Sequence, residues 1–200
     1  MKKQIMMIAA LFVALGAYAQ HDHSQKEGSK MDHSMHAGMT PESGQVMTYD
    51  TPSEFRNQLG EVYKTSLVLT ENFITGEGND ISNTSAQVKE ILKKVDMNLL
   101  KSSEAHMDWM MNLKEMNSAL ETISNTAETK TQKTAYASFN QALYKSVKAF
   151  GTTESTIYYQ HCPMALDNQG AFWLSNSKEI RNPYFGGSML TCGSTKEMLN

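Results

Sequence analysis

The sequence has few cysteines and no basic patch, and it lacks the common catalytic signatures. Its 200 residues contain 2 cysteines, Cys162 and Cys192, so one disulfide is the most the chain can form with itself. They do not form a C-x-x-C pair, which argues against a thiol oxidoreductase. Lys and Arg number 18 against 21 Asp and Glu, a formal net charge of −3 with no basic stripe. That balance excludes nucleic acid as a partner. There is no glycine-rich phosphate loop, no serine-nucleophile motif and no paired-carboxylate arrangement, and the chain reads as a non-enzyme. Beyond residue 19, no segment is long and apolar enough to cross a bilayer, and no cysteine near the start offers a lipid-anchor signal. No stable membrane anchor is expected.

What is present begins with "MKKQIMMIAALFVALGAYAQ". Lys2 and Lys3 precede an apolar run from Ile5 to Leu15. Ala17 and Ala19 then supply the small residues of a signal-peptide cleavage site before Gln20. Residues 1–19 are therefore expected to be a cleaved signal peptide, and the remainder to be periplasmic. Residues 20–50 follow as a polar segment with no leucine, isoleucine or aromatic residue before Tyr49. Such a segment buries too little apolar surface to offset its ordering entropy, and a disordered tail is expected.

Methionine and histidine are concentrated in that tail. The chain has 15 methionines and 6 histidines, and His21, His23, His33 and His36 all lie within it. Met31, Met35 and Met39 recur every four residues around His33 and His36, and His21 and His23 flank Asp22. Thioethers suit Cu(I) and imidazoles suit Cu(II), so the mixture points to copper capture. The bland alternative is a compositionally biased tail, or one that takes nickel or zinc. Affinity is expected to be modest, because the tail must be ordered to bind.

Helical periodicity starts at Thr51, where "TPSE" suggests Thr51 as N-cap, Pro52 at the first helical position and Glu54 at N3. Phe55, Leu59, Val62, Tyr63, Leu67 and Phe73 mark one face, and Gly76 and Gly78 close the helix. A second helix follows Asn79 and Asp80, with Val88, Ile91, Leu92, Val95 and Leu99 aligned. A third is expected from about 103 to 125, its stripe being His106, Trp109, Met110, Leu113, Met116, Leu120 and Ile123. A fourth spans roughly 128 to 150 and ends at Gly151. Tyr63, Tyr136 and Tyr144 are expected at the margins. These features predict a mainly α fold, an antiparallel four-helix bundle over residues 51–151. Short β-favouring runs at 157–160 and 171–174, separated by turn residues, predict a small loop and β-hairpin cap over 152–200, part of the same domain.

The cap carries the second chemical signal, "HCPM" at 161–164. A residue before proline is driven toward extended geometry, so Cys162 and Met164 would present two sulfurs on one side. Met189 and Cys192 form a second sulfur pair between glycines. Thiolate with thioether selects Cu(I), whereas zinc makes little use of thioether. His161 and His106 are candidate imidazole ligands; an inward histidine on a helix is more often a hydrogen-bonded core residue. The opposing reading is a Cys162–Cys192 disulfide, usual in an oxidising compartment, closing a loop worth about 3–4 kcal/mol. Both readings stay open, and both can be redox states of one site.

"AHMDWMMN", "KAFG", "YYQHCPMA" and "GAFWLSNSKEIRNPYFGGSMLTCG" together resemble a bacterial domain-of-unknown-function family. Its members occur as exported proteins or fused to the periplasmic adaptor (membrane-fusion) proteins of copper/silver efflux pumps. The resemblance covers about residues 53–195. It implies a helical domain with a C-terminal metal-associated motif. Carried over by position, the motif falls on His106, Trp109, Met110, Cys162, Pro163, Met164, Met189 and Cys192. The expected function is a copper-binding protein, Cu(I) first and silver by the same soft-ligand preference, that buffers or delivers metal to an efflux system. The rival is a non-catalytic interaction module with a structural disulfide and metal held only by the tail.

Overall fold

The computed structural model describes residues 46–76 and 78–199. The signal-peptide segment and most of the tail, with His21, His23, Met31, His33, Met35, His36 and Met39, lie outside the described residues. Among the described residues the chain is mainly helical, with five α-helices, four of them long, and one small sheet. The long helices are α1 (Ser53–Thr75), α2 (Gly78–Leu92), α3 (Ser103–Asn125) and α4 (Thr129–Phe150). Then come β1 (Ile157–Cys162), the short α5 (Ala165–Asn168), β2 (Ala171–Ser175) and β3 (Ser194–Leu199).

Each long helix has a local reason for its bounds. α1 starts behind Pro52, whose fixed φ suits a helix entry, and Gly76 ends it with φ 81. Thr51 is not the cap expected of it: its hydroxyl donates to the Tyr49 carbonyl instead. The Ser102 hydroxyl accepts from Ala105 N–H to cap α3, and the Glu128 carboxylate accepts from Thr131 N–H to cap α4. α1 packs on α2, α2 on α3 and α3 on α4, with a lighter contact between α1 and α4.

One apolar core runs through helices and sheet. Phe55, Trp109 and Phe150 meet edge to face at one end, with Trp109 5.0 Å from Phe55 and 5.9 Å from Phe150. Phe73, Tyr136 and Tyr184 meet at the other, and Trp173 and Cys162 join the same buried cluster. Tyr63 and Tyr136 are buried rather than marginal, and Met110 is exposed rather than inward. The Tyr136 hydroxyl shares a 2.7 Å hydrogen bond with Thr70, which removes the cost of burying it.

The cap is a three-stranded antiparallel sheet in the order β2-β1-β3, not a bare hairpin. Its β2 edge lies along α4. The Asn140 side-chain oxygen accepts from Leu174 N–H, and the Tyr184 hydroxyl donates to the Phe172 carbonyl. Two of the outward groups of this edge strand are thereby satisfied from within the fold. Tyr144 of α4 stacks 3.8 Å from Tyr159 of β1, and its hydroxyl and the Lys148 ammonium both donate to Glu197 of β3. The sheet thus runs back along α4, away from that helix's C-terminal end. Gly186 (φ 54) sits against α1: a Cβ there would lie 2.7 Å from the Ile74 carbonyl oxygen.

Candidate metal centre

β1 delivers Cys162 as its last residue, opposite Ala171 of β2, with no exposed surface. Cys192 reaches it from the turn before β3, and the two sulfurs are 2.8 Å apart. Both are free thiols in this structure. The turn is held by Asn182, itself fully buried. Asn182 Nδ2 donates to the Cys192 carbonyl at 2.7 Å, and its N–H donates to the Leu190 carbonyl at 2.8 Å. Its Oδ1 accepts from Tyr184 and Phe185 N–H. The Cys192 N–H closes the loop onto the Met189 carbonyl at 3.1 Å. Sequence reading gave Asn182 only a turn role beside Pro183. Nothing in an Asn-Pro dipeptide signals that the amide spans the loop and fixes a cysteine.

Gly193 completes the positioning. Its φ is 144, and a Cβ there would fall 2.9 Å from the His161 carbonyl oxygen and 2.9 Å from the Trp173 ring. Only glycine lets this backbone pass between β1 and the indole.

The two thioethers are placed differently. β1 ends at Cys162, so Met164 is not extended: it has φ −88 and ψ −10, at the start of a turn in which Leu166, Asp167 and Asn168 all have positive φ. The expected same-side display of Cys162 and Met164 on one strand is therefore not what forms. Met164, 46% exposed, and Met189, half-buried, instead line one cavity of about 560 Å³, together with Lys130, Lys133, Asp167 and Tyr184. Neither cysteine is in its wall. The four sulfurs thus fall into a thiol pair in contact and a thioether pair facing one cavity. They lie on two chain segments that run side by side. Methionine side chains are flexible, and rotation about their own bonds is the movement available to bring thioether toward thiol.

The two imidazoles are elsewhere. His161 neighbours Cys162 on β1 and so points to the opposite face of the sheet. Its ring lies 4.2 Å from Phe172. Burial, with help from the Lys196 charge, lowers its pKa, so the ring is neutral at pH 7 and able to ligate, but not on the cysteine side. His106 lies one turn before Trp109, which packs on Phe150 at the C-terminal end of α4. The thioether cavity is lined by Thr129 and Lys133, at the N-terminal end of the same helix. Those ends of a 22-residue helix are about 30 Å apart. His106 and the cap do not form one site.

The Cys192 thiol is pushed above its ordinary pKa, first by its hydrogen bond with Cys162 and then by desolvation. At neutral pH it carries its proton, and a metal that takes the thiolate must displace it. Among the described residues, no three side chains of the His, Cys, Asp or Glu types gather closely enough to hold an ion. Within these residues, any donor that joins the two thiols in a site is a thioether sulfur or a group of another type.

No curated protein and no solved structure matches the chain. A family model matches residues 62–155, from within α1 through α4 to the start of the cap, and leaves both cysteines and all of the sheet outside it. The family whose model these residues match is described as "Protein of unknown function (DUF3347)".

Proposed function

We propose that this is a periplasmic carrier or buffer for Cu(I), and for silver by the same soft-ligand preference, and that it supplies an efflux system through that system's periplasmic adaptor. The four long helices are read as an antiparallel bundle that serves as the scaffold. The observation that carries the proposal is the convergence of Cys162 and Cys192 at 2.8 Å, on the same two chain segments whose Met164 and Met189 line one cavity. Two thiolates, with thioethers two and three residues away along the chain at Met164 and Met189, are a donor set for a soft monovalent ion. Cu(I) is cargo here, and it leaves by exchange onto thioethers, which bind it weakly. The resemblance to domains fused to efflux adaptors supports the choice of partner by association. No helix among the described residues is long and apolar enough to cross a membrane.

The close approach of the sulfurs also favours a second reading, an interaction module stapled by a Cys162–Cys192 disulfide. Thiolate ligation separates the two. Adding Cu(I) to the reduced full-length chain is expected to raise an ultraviolet thiolate-to-copper charge-transfer band, absent in a Cys162→Ser/Cys192→Ser chain. No band in the reduced parent leaves the staple as the role of the pair.

The proton on Cys192 adds a pH dependence. The raised thiol pKa means that metal and proton compete across the neutral range. Affinity for Cu(I) is expected to rise about tenfold per pH unit from this proton alone, between pH 6 and 8. In Cys192→Ser that contribution disappears. A parent affinity that is flat over this range contradicts ligation by Cys192.

A further inference from the structure

α3 carries a second set of soft donors that the cap does not use. Met107, Met110 and Met111 are 63%, 42% and 60% exposed, whereas Met116 on the same helix is fully buried. Core packing accounts for Met116 and for none of the three. They stand at i, i+3 and i+4, so their side chains share one face with Cβ atoms about 5–6 Å apart. His106 is four residues before Met110 and half-buried, which extends the face to an imidazole. At about 100° per residue, the four donors span an arc of about 140°.

Chain 46–50 docks beside them. Tyr49 N–H donates to the Ala149 carbonyl at 2.8 Å, its ring stacks 5.2 Å from Phe150, and its hydroxyl donates to the Asp108 carboxylate. Met47, itself 62% exposed, then lines with Met111 a cavity of about 720 Å³ between α3 and α4. Met47 and Met111 therefore share one cavity where the His/Met-rich stretch of sequence joins the fold. The positive end of α3 opposes a cation there. Glu104 in the first turn counters it.

We propose that Met107, Met110 and Met111, with His106, form a second site for a soft monovalent ion, Cu(I) or Ag(I), at the end of α4 remote from the cysteines. Thioethers without thiolate bind such an ion more weakly and release it more readily than the cap does. The inference rests on the soft-metal reading of the chain but not on the cysteines.

The test is a titration of full-length Cys162→Ser/Cys192→Ser chain, labelled with ¹³C-methyl methionine, with silver nitrate. The Met107, Met110 and Met111 methyl signals are expected to shift together with one midpoint. In a further Met107→Leu/Met110→Leu/Met111→Leu chain, the silver bound is expected to fall by one ion per chain. His106→Phe is expected to raise the midpoint concentration about tenfold. The three leucines are at exposed positions on a helix, and unchanged circular dichroism confirms the fold. Stationary α3 methyl signals, while the parent still shows its thiolate band, overturn the α3 site alone and leave an apolar docking face. Stationary signals together with no band in the parent overturn both proposals.

Discussion

A Gly193→Val chain is expected to keep its helices and lose at least about tenfold in Cu(I) affinity, or about 1.4 kcal/mol of binding free energy. The cause is steric. Gly193 has φ 144, and the first side-chain carbon would overlap the His161 carbonyl oxygen and the Trp173 ring, each at 2.9 Å. A β-branched residue adds a strained backbone conformation, worth about 1–3 kcal/mol. The His161 carbonyl belongs to β1 and the indole is fully buried, so the segment that gives way is the turn carrying Cys192. Gly187 is the control. Nothing lies within 4 Å of a Cβ placed there, and Gly187→Ala is expected to match the parent in both helicity and affinity. Competition titration and far-ultraviolet circular dichroism on the same samples check both chains. Parental affinity in Gly193→Val contradicts the assignment of Cys192 as a ligand fixed by this turn.

Trp109→Ala is expected to lower the unfolding free energy by about 3–5 kcal/mol. The side chain has no exposed surface and bridges α1 and α4 through Phe55 and Phe150. Removing it opens a cavity that three separate helices would have to fill by moving. Its indole N–H has no hydrogen-bond partner among the described residues. Trp109→Phe therefore keeps most of the packing and removes an unpaired donor, and its cost is expected below about 1.5 kcal/mol. Urea unfolding followed by circular dichroism measures both. Equal losses in the two variants contradict a packing role for the indole.

The helices were legible because period 3.6 and end signals agree over long stretches. The expected 103 to 125 span is α3 to the residue, and Gly76 and Gly151 stop α1 and α4. Thr51 misled because a capping pattern does not reveal a competing acceptor: Tyr49, pinned to Ala149 and Phe150, offers its carbonyl to the hydroxyl. β3 was hidden because "STKEML" is mostly polar and alternates between exposed and half-buried, as an outer strand with one wet face does.

Of the site, residue types were legible and directions were not. Cys162 and Cys192 stood out by scarcity, and the structure brings them together. The direction of Met164 depends on three successive non-glycine residues with positive φ, a rare backbone that no local pattern announces. The separation of His106 from the cap depends on which way the chain turns after Gly151. It runs back along α4, and only long-range contacts such as Tyr144 on Tyr159 and Asn140 with Leu174 decide that.

The central claim is that the folded part of the chain holds Cu(I) on its cysteine pair. The most direct measurement is competition of reduced full-length chain with a Cu(I) chelator at pH 7, beside the Cys162→Ser/Cys192→Ser chain. The account predicts one tight equivalent in the parent and its loss in the variant, with only weaker binding left to the methionine and histidine donors. Equal affinity and stoichiometry in the two chains would contradict it, and would place all of the metal on those other donors.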